Sequence, residues 1–195
     1  CMYGVVEFYK AAKKRGIQPI LGCEGYVARR TRFDKVHELD GENRHLVLLC
    51  ENETGYHNLL ALVSKAWVEG FYSKPRVDLD LLREHHEGLI ALSACLAGEI
   101  PRALTRGDYE GAREAALRYE GIFGRGNFYL ELQDHGMAEQ KRINPQLIRL
   151  SRETGIPLVA TNDCHYIAPE DSRMHRVLLC IQTGRTIEDE NAMEF

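Results

Sequence analysis

Short apolar segments that alternate with segments of helical periodicity are the feature that most constrains how this chain can fold. The five apolar segments span residues 19–27, 45–50, 88–93, 127–132 and 157–161. Strands that are apolar on both faces are typical of a parallel sheet covered by helices. The alternation therefore predicts an α/β fold, either an open sheet or part of a (β/α) barrel, since a full barrel usually needs about 250 residues.

The remaining segments complete this assignment. Helical periodicity predicts helices over residues 2–15, 54–69, 78–84, 98–105, 109–123, 137–154 and 169–182. Residues 28–43 are charged and aperiodic, which indicates a loop or an irregular hairpin, and residues 70–76 have the composition of a turn. The chain has 195 residues, enough for one buried core, so we expect a single domain.

Composition and charge exclude several classes of protein. The apolar fraction of 44% and the charged fraction of 28% are those of a globular protein, and no apolar run is long enough to span a membrane. The net charge of −4 excludes a strongly basic nucleic-acid-coating domain but not a local basic groove. The six cysteines include no C-x-x-C pair, which argues against a zinc ribbon and predicts reduced thiols in a cytoplasmic setting.

Polar residues lie near the ends of the predicted strands, where functional groups collect in parallel α/β proteins. A buried Glu24, within an apolar strand, must be paired or metal-bound, and the alternative partner is an arginine of residues 29–32. Cys95 and His135 follow later strands, but each also fits a structural role, Cys95 in the core and His135 as a loop residue bonded to a backbone carbonyl. His45 opens its strand instead of closing it and fits this rule less well.

Asp163 and His165 give the sharpest local signal. They follow the last predicted strand with one residue between them, and alternate residues of an extended segment point to the same side. A carboxylate and an imidazole in this arrangement commonly hold a divalent metal. The alternative is an Asn-Asp turn before the next helix, so the local pattern alone leaves both interpretations open.

Eight segments, in order along essentially the whole chain, resemble one known family. They are MYGVVEFYKAA at 2–12, GCEGYV at 22–27, HLVLL at 45–49, GYHNL at 55–59, EGFYSKPR at 69–76, GLIALSACL at 88–96, ELQDHG at 131–136 and ATNDCHY at 160–166. Together these segments resemble the PHP (polymerase and histidinol phosphatase) domain in the amino-terminal region of bacterial replicative DNA polymerase III alpha subunits.

The resemblance implies a distorted seven-stranded (β/α) barrel. The family's first motifs, H-x-H and T-D-H-G, are absent, and the family pattern places the second of them immediately before Cys1. We therefore expect residues 1–195 to form a partial PHP domain that lacks its first strands and includes no polymerase palm, fingers or thumb. Asp78 and Asp80 lack the surrounding palm motif, and Asp78 is better interpreted as a helix cap.

The resemblance also implies a site for up to three divalent metals. By position in the motifs it assigns as metal ligands Glu24, His45, Cys95, Asp163 and His165. Asp163 and His165 are in addition the expected catalytic residues, and His135 is a second candidate ligand. Mixed imidazole, carboxylate and thiolate ligands suit zinc or manganese better than magnesium.

The implied activity is metal-dependent phosphoester hydrolysis, as a 3′–5′ exonuclease that proofreads within a DNA-directed DNA polymerase. The expected partners are a single-stranded DNA 3′ end, the primer-template of the whole polymerase and other replicase subunits, with no membrane. One alternative is a non-catalytic PHP scaffold that binds a separate proofreading exonuclease subunit. Another is a free-standing PHP phosphatase, against which the polymerase-type segments 55–59 and 71–76 argue.

Overall fold

The structure, a computed structural model, describes residues 2–188, and Cys1, next to which the first family motifs are expected, lies outside them. Within the described residues the strands are β1 (Gly22–Val27), β2 (Arg44–Cys50), β3 (Arg76–Val77), β4 (Leu89–Leu92), β5 (Phe128–Leu132) and β6 (Leu158–Ala160). They form one sheet in the order β3-β1-β2-β4-β5-β6. The sheet is open, with β3 and β6 at its edges.

Helices fill most of the segments between the strands. They are α1 (Val5–Lys14), α2 (His37–Asp40), α3 (Glu53–Val68), α4 (Leu79–Glu84), α5 (Glu99–Thr105), α6 (Tyr109–Phe123), α7 (Ala138–Thr154) and α8 (Ser172–Thr183), the last preceded by a 3-10 turn. The predicted α/β fold, with a sheet that does not close into a complete barrel among the described residues, is confirmed. No helix between residues 2 and 188 combines the length and the apolar character needed to cross a bilayer.

The direction of β2 differs from the expected parallel arrangement. β2 runs antiparallel to both of its neighbours, β1 and β4, while the remaining pairs are parallel. The β1–β2 connection is therefore an irregular hairpin, one of the two structures predicted for it. The reversal also places His45, at the amino end of β2, beside the carboxyl ends of β1 and β4, because antiparallel neighbours bring opposite ends together.

The two faces of the sheet have different surroundings. One face carries fully or nearly fully buried apolar side chains, including Leu46, Leu48, Ala91 and Phe128, and packs against helices such as α3 and α6. Side chains alternate along a strand, so the register that pairs Glu24 with Val47 puts Glu24 and His45 together on the opposite face. This second face holds the polar groups described below.

Arg76 organises the β1–β2 connection, although the composition of its segment predicted only a turn. It lies in the two-residue strand β3, and its side chain is fully buried. Its guanidinium donates hydrogen bonds to the backbone carbonyls of Gly70 (3.1 Å), Arg32 (3.2 Å), Asp34 (2.8 Å) and Asp40 (3.4 Å). Arg76 therefore fixes the β1–β2 connection, whose own carbonyls would otherwise be left without partners.

Asp78 caps α4, as the sequence analysis predicted. Its carboxylate accepts a hydrogen bond from the backbone N–H of Leu81 at 2.9 Å. The same carboxylate forms a mostly buried ion pair with Arg32 at 3.1 Å. These two contacts give Asp78 a structural role.

Gly55, in the first turn of α3, is required by a close approach of two backbones. A Cβ at Gly55 would overlap the Gly88 carbonyl, whereas one at Gly121 in α6 would meet no atom within 4 Å. We expect Gly55→Ala to lower the free energy of unfolding by about 1 to 3 kcal/mol, because α3 must move. Gly121→Ala should raise it by about 0.5 to 1 kcal/mol, because alanine favours the helix. Denaturant titration tests both variants, and equal effects would contradict the close approach.

Candidate metal centre

The residues expected to form the site line one cavity. It lies at the end of the sheet where β4, β5 and β6 have their carboxyl ends. This cavity has a volume of about 710 Å³. Its lining includes Glu24, His45, Cys95, His135, Asp163 and His165. The segments that carry these residues are far apart in the chain, so the order of the strands brings them together.

Glu24, His45 and Cys95 form the tightest group in this cavity. The His45 Nδ1 contacts a carboxylate oxygen of Glu24 and lies 3.7 Å from the Cys95 sulfur. One potential ligand atom from each of the three residues lies within 4.8 Å of the other two. Glu24 is diagonal to His45 across the β1–β2 pair, and Cys95 follows β4, so three neighbouring strands supply one ligand-type side chain each.

The backbone before Cys95 has an unusual conformation. Ala94 has a φ of +64°, in the left-handed region that residues with a side chain seldom adopt. Ala94 is also buried, with 3% of its surface exposed. This turn directs the chain after β4 back toward β2, where His45 donates its backbone N–H to the Ala97 carbonyl at 3.1 Å.

Electrostatic coupling within the group is strong. Hydrogen bonds with the Cys95 sulfur and then with the Glu24 carboxylate raise the pKa of His45 to about 9. The hydrogen bond from His45 is in turn the largest influence on the pKa of Glu24, which is lowered. At neutral pH and without a metal, the His45 proton is therefore shared with the two neighbouring acceptors.

Glu24 differs from the sequence-based expectation in its exposure and its partner. Its side chain is 45% exposed, because the second face of β1 borders the open cavity, so the premise of a buried carboxylate is wrong. The arginine alternative is also wrong, since the partner of Glu24 is His45. Arg30 bonds to Asp40 at 2.9 Å, and Arg32 pairs with Glu69 and Asp78.

Asp163 and His165 lie on the segment after β6, and both side chains line the cavity. The His165 Nδ1 lies 3.0 Å from the Asp163 backbone carbonyl and 3.9 Å from its carboxylate. A carbonyl can only accept, so Nδ1 carries the proton and Nε2 is the acceptor nitrogen of the neutral ring. Within residues 2–188, the compact group of potential ligands consists of Glu24, His45 and Cys95 and does not include Asp163 or His165.

His135 contacts Asp163 and is not part of the group formed by Glu24, His45 and Cys95. Its Nε2 accepts the Asp163 backbone N–H at 3.2 Å, so its backbone partner is an amide and not the expected carbonyl. Gln140, buried near the start of α7, binds both the His135 backbone and its ring, at 2.8 and 2.9 Å. The geometry makes His135 a residue that orients the Asp163 segment, and its role as a ligand stays a prediction.

Glu131 is a buried acid beside the site that the sequence analysis missed. It is 4% exposed, and its Oε1 accepts the Thr161 hydroxyl at 2.7 Å, while its Oε2 has no hydrogen-bond partner. Burial is the main reason that the pKa of Glu131 is raised, with the negative charges of Glu24 and Asp163 adding to it. A signal existed in the sequence, because Glu131 interrupts an otherwise apolar strand as Glu24 does.

The donor set of the cavity fits a divalent metal. Carboxylate, imidazole and thiol groups are the ligand types that bind zinc, and the first two also suit manganese. Among the described residues that line the cavity, none is a lysine or an arginine. A phosphate in this cavity would therefore need a cation other than these side chains.

Comparison with known proteins identifies similar sequences. A family model described as the PHP domain matches residues 1–135, which include Glu24, His45 and Cys95. A DNA polymerase III subunit alpha of Treponema pallidum is 48% identical over 195 residues, covering 100% of this chain and 17% of the relative. The protein of the same name from Thermus aquaticus is 48% identical over 197 residues, covering 100% and 16%. This chain thus spans 16–17% of the length of these curated relatives.

Proposed function

The chain belongs to the PHP domain family, and from this premise we propose that it is the metal-dependent phosphoesterase domain of a bacterial DNA polymerase III alpha subunit. The proposed activity is 3′–5′ exonucleolytic removal of nucleotides from single-stranded DNA, as proofreading for the polymerase. The observation that carries the proposal is the convergence of Glu24, His45 and Cys95 from three strands on one cavity. The identity of 48% to relatives named DNA polymerase III subunit alpha supports the choice of parent protein.

We further propose that the whole of residues 1–195 belongs to this domain. The family match ends at residue 135, but β6 pairs with β5, and the segment after β6 brings Asp163 and His165 to the same cavity. The proposed ligand set is therefore Glu24, His45 and Cys95, completed by Asp163 and His165, with zinc or manganese as the metal.

Each residue has a definite task in this proposal. When bound, a divalent metal supplies Lewis acidity, which makes a water more acidic and neutralises phosphate charge. Asp163 contributes a carboxylate, and His165 contributes its ring Nε2. The Asp163 carbonyl accepts the Nδ1 proton and so sets the tautomer of this ring. His45 must release its proton to become a ligand, so metal binding and proton release are coupled at this residue.

We also propose partners and a compartment, and the name of the relatives supports this choice. A polymerase subunit requires a primer-template and other replicase subunits, and we propose both as partners, together with a single-stranded 3′ end at the cavity. We propose the bacterial cytoplasm as the compartment, because the chromosome is there.

Metal depletion of the full-length protein tests the proposal. We expect the purified protein to contain zinc or manganese and to degrade a 5′-labelled single-stranded DNA from its 3′ end. Dialysis against a chelator should abolish this degradation, and readdition of zinc or manganese should restore it. Polymerase activity on a primed template should return with magnesium alone.

Two outcomes would contradict the exonuclease proposal. One is degradation that continues at full rate after the metal has been removed. The other is a metal-loaded protein that does not degrade DNA, which would favour the non-catalytic scaffold for a separate proofreading exonuclease subunit.

A further inference from the structure

Glu131 connects the two halves of the candidate metal centre. It lies on β5, between β4 and β6 in the sheet. Cys95 is two residues beyond Ser93, which follows β4, and Asp163 is two residues beyond Thr161, which follows β6. Contacts of Glu131 to both Ser93 and Thr161 therefore reach both segments that carry candidate ligands.

On the β4 side, Glu131 holds the start of the Cys95 turn. Its backbone N–H donates to the Ser93 hydroxyl at 2.8 Å. Its carboxylate is reached by a hydrogen bond from the Ala94 backbone, which lowers the pKa of Glu131 against the larger effect of burial. The Glu131 side chain therefore lies beside the left-handed turn at Ala94, the residue before Cys95.

On the β6 side, the Glu131 side chain ends a directional chain of hydrogen bonds. The Gln133 amide donates to the Thr161 hydroxyl at 3.2 Å, and this hydroxyl donates to Glu131 Oε1 at 2.7 Å. The Thr161 backbone N–H also bonds to the Leu132 carbonyl at 3.1 Å. The segment that leads to Asp163 is thus held to β5 through both its backbone and its side chain.

Core packing alone gives no account of a carboxylate at this position. Its neighbours in β5 are apolar, and a buried acid with one unpartnered oxygen costs free energy that an apolar residue would avoid. Such a cost is expected where a polar group orients functional residues, as outer-shell partners do around metal ligands.

We propose that Glu131 is a positioning residue that sets the Cys95 turn and the Asp163 segment relative to each other, so that their side chains can share one metal site. This inference rests on the proposed function, because it assumes that these side chains bind metal. It assigns no direct contact between Glu131 and the metal.

Cobalt titration of the metal-depleted full-length protein tests the inference. Cobalt bound by a thiolate gives a near-ultraviolet charge-transfer band that reports ligation by Cys95. Glu131→Ala removes the acceptor for Thr161, and we expect it to weaken cobalt binding by about 10- to 100-fold and to reduce the band. Glu131→Gln keeps an oxygen that can accept the Thr161 hydroxyl, so it should retain affinity close to that of the unmodified protein.

A second pair of variants approaches the same contact from the other side. Thr161→Val removes the hydroxyl and should weaken cobalt binding in the same direction as Glu131→Ala, whereas Thr161→Ser keeps the hydroxyl and should not. Leu81→Ala, in the fully buried core of α4, controls for general destabilisation. It should lower the melting temperature without changing the cobalt affinity or the band.

The outcomes separate this inference from the proposed function. Unchanged affinity and an unchanged band in both Glu131→Ala and Thr161→Val would overturn the positioning role and leave the metal site intact. If Glu131→Ala does not fold, the result for Thr161→Val decides. An unmodified protein that binds no cobalt would instead overturn the proposed metal site, and the positioning role with it.

Discussion

Replacing Arg76 with Met is expected to lower the free energy of unfolding by about 3 to 5 kcal/mol. Met matches the stem of Arg76 as far as Nε and lacks Cζ and the two Nη atoms, so the substitution removes the hydrogen bonds together with part of the buried side chain. The carbonyls of Gly70, Arg32, Asp34 and Asp40 lose their shared donor in a region that excludes water. Each buried acceptor without a partner costs about 1 to 3 kcal/mol, and some relaxation of the connection reduces the sum.

Hydrogen exchange in increasing denaturant measures this effect within the full-length protein. Peptides from β2 report the stability of the sheet, and peptides from residues 28–43 report local opening of the β1–β2 connection. Arg83→Met is the matched control, because the Arg83 side chain is 51% exposed and forms a surface ion pair with Asp80, worth about 1 kcal/mol or less. Equal losses in the two variants would contradict the structural role of Arg76.

The role of Arg76 shows where sequence patterns lose information. A two-residue strand has no periodicity, so residues 70–76 gave only the signal of a turn. The β1–β2 connection, which also contains the short helix α2, is organised by a residue that contacts it from 36 to 44 positions further along the chain, and local sequence does not encode such a contact. The longer helices, such as α6, were predictable because their apolar positions repeat over several turns, and β5 was predictable because its segment is almost continuously apolar.

The direction of β2 was also hidden from the sequence pattern. Burial on both faces makes a strand apolar in either direction, so the apolar run at 45–50 predicted a strand without its orientation. The misfit of His45 was the available clue. A functional group at the amino end of a strand lies beside the carboxyl ends of the neighbouring strands only if its strand runs antiparallel to them, as β2 does.

The grouping of three candidate residues was predictable from the motifs, whereas their contacts were not. The motif resemblance named Glu24, His45 and Cys95, and the structure places them together. The partner of Glu24 depends on strand register, which the sequence pattern does not specify, and its exposure depends on the open cavity above β1. Glu131 carried the same signal as Glu24, a carboxylate in an apolar strand, but the resemblance assigned it no role.

Asp163→Asn and His165→Ala are expected to reduce the metal content and to lower exonuclease activity by at least about 100-fold, while polymerase activity largely survives. Asp163→Asn keeps the shape of the side chain and removes its charge. His165→Ala removes the ring, whose Nε2 is the acceptor nitrogen in the tautomer set by the Asp163 carbonyl. Both side chains border the cavity, and neither is fully buried, so the fold should tolerate each substitution.

Two nearby substitutions separate loss of a ligand from loss of charge or of an imidazole in general. Asp134→Asn alters an acid that bonds to the Gly136 backbone at 3.0 Å and is not among the residues lining the cavity. His86→Ala removes a half-buried histidine that bonds to a backbone carbonyl near the end of α4. Both controls should keep the metal and the exonuclease activity.

Metal content and activity together decide what Asp163 and His165 do. Loss of both metal and activity in the two site variants supports ligation, because the proposed hydrolysis requires a bound metal. Loss of activity with full metal content would assign the residues to handling protons or substrate beside the metal held by Glu24, His45 and Cys95. Full metal content together with full activity in both variants would remove the pair from the site, and the compact group on β1, β2 and β4 would then have to account for metal binding alone.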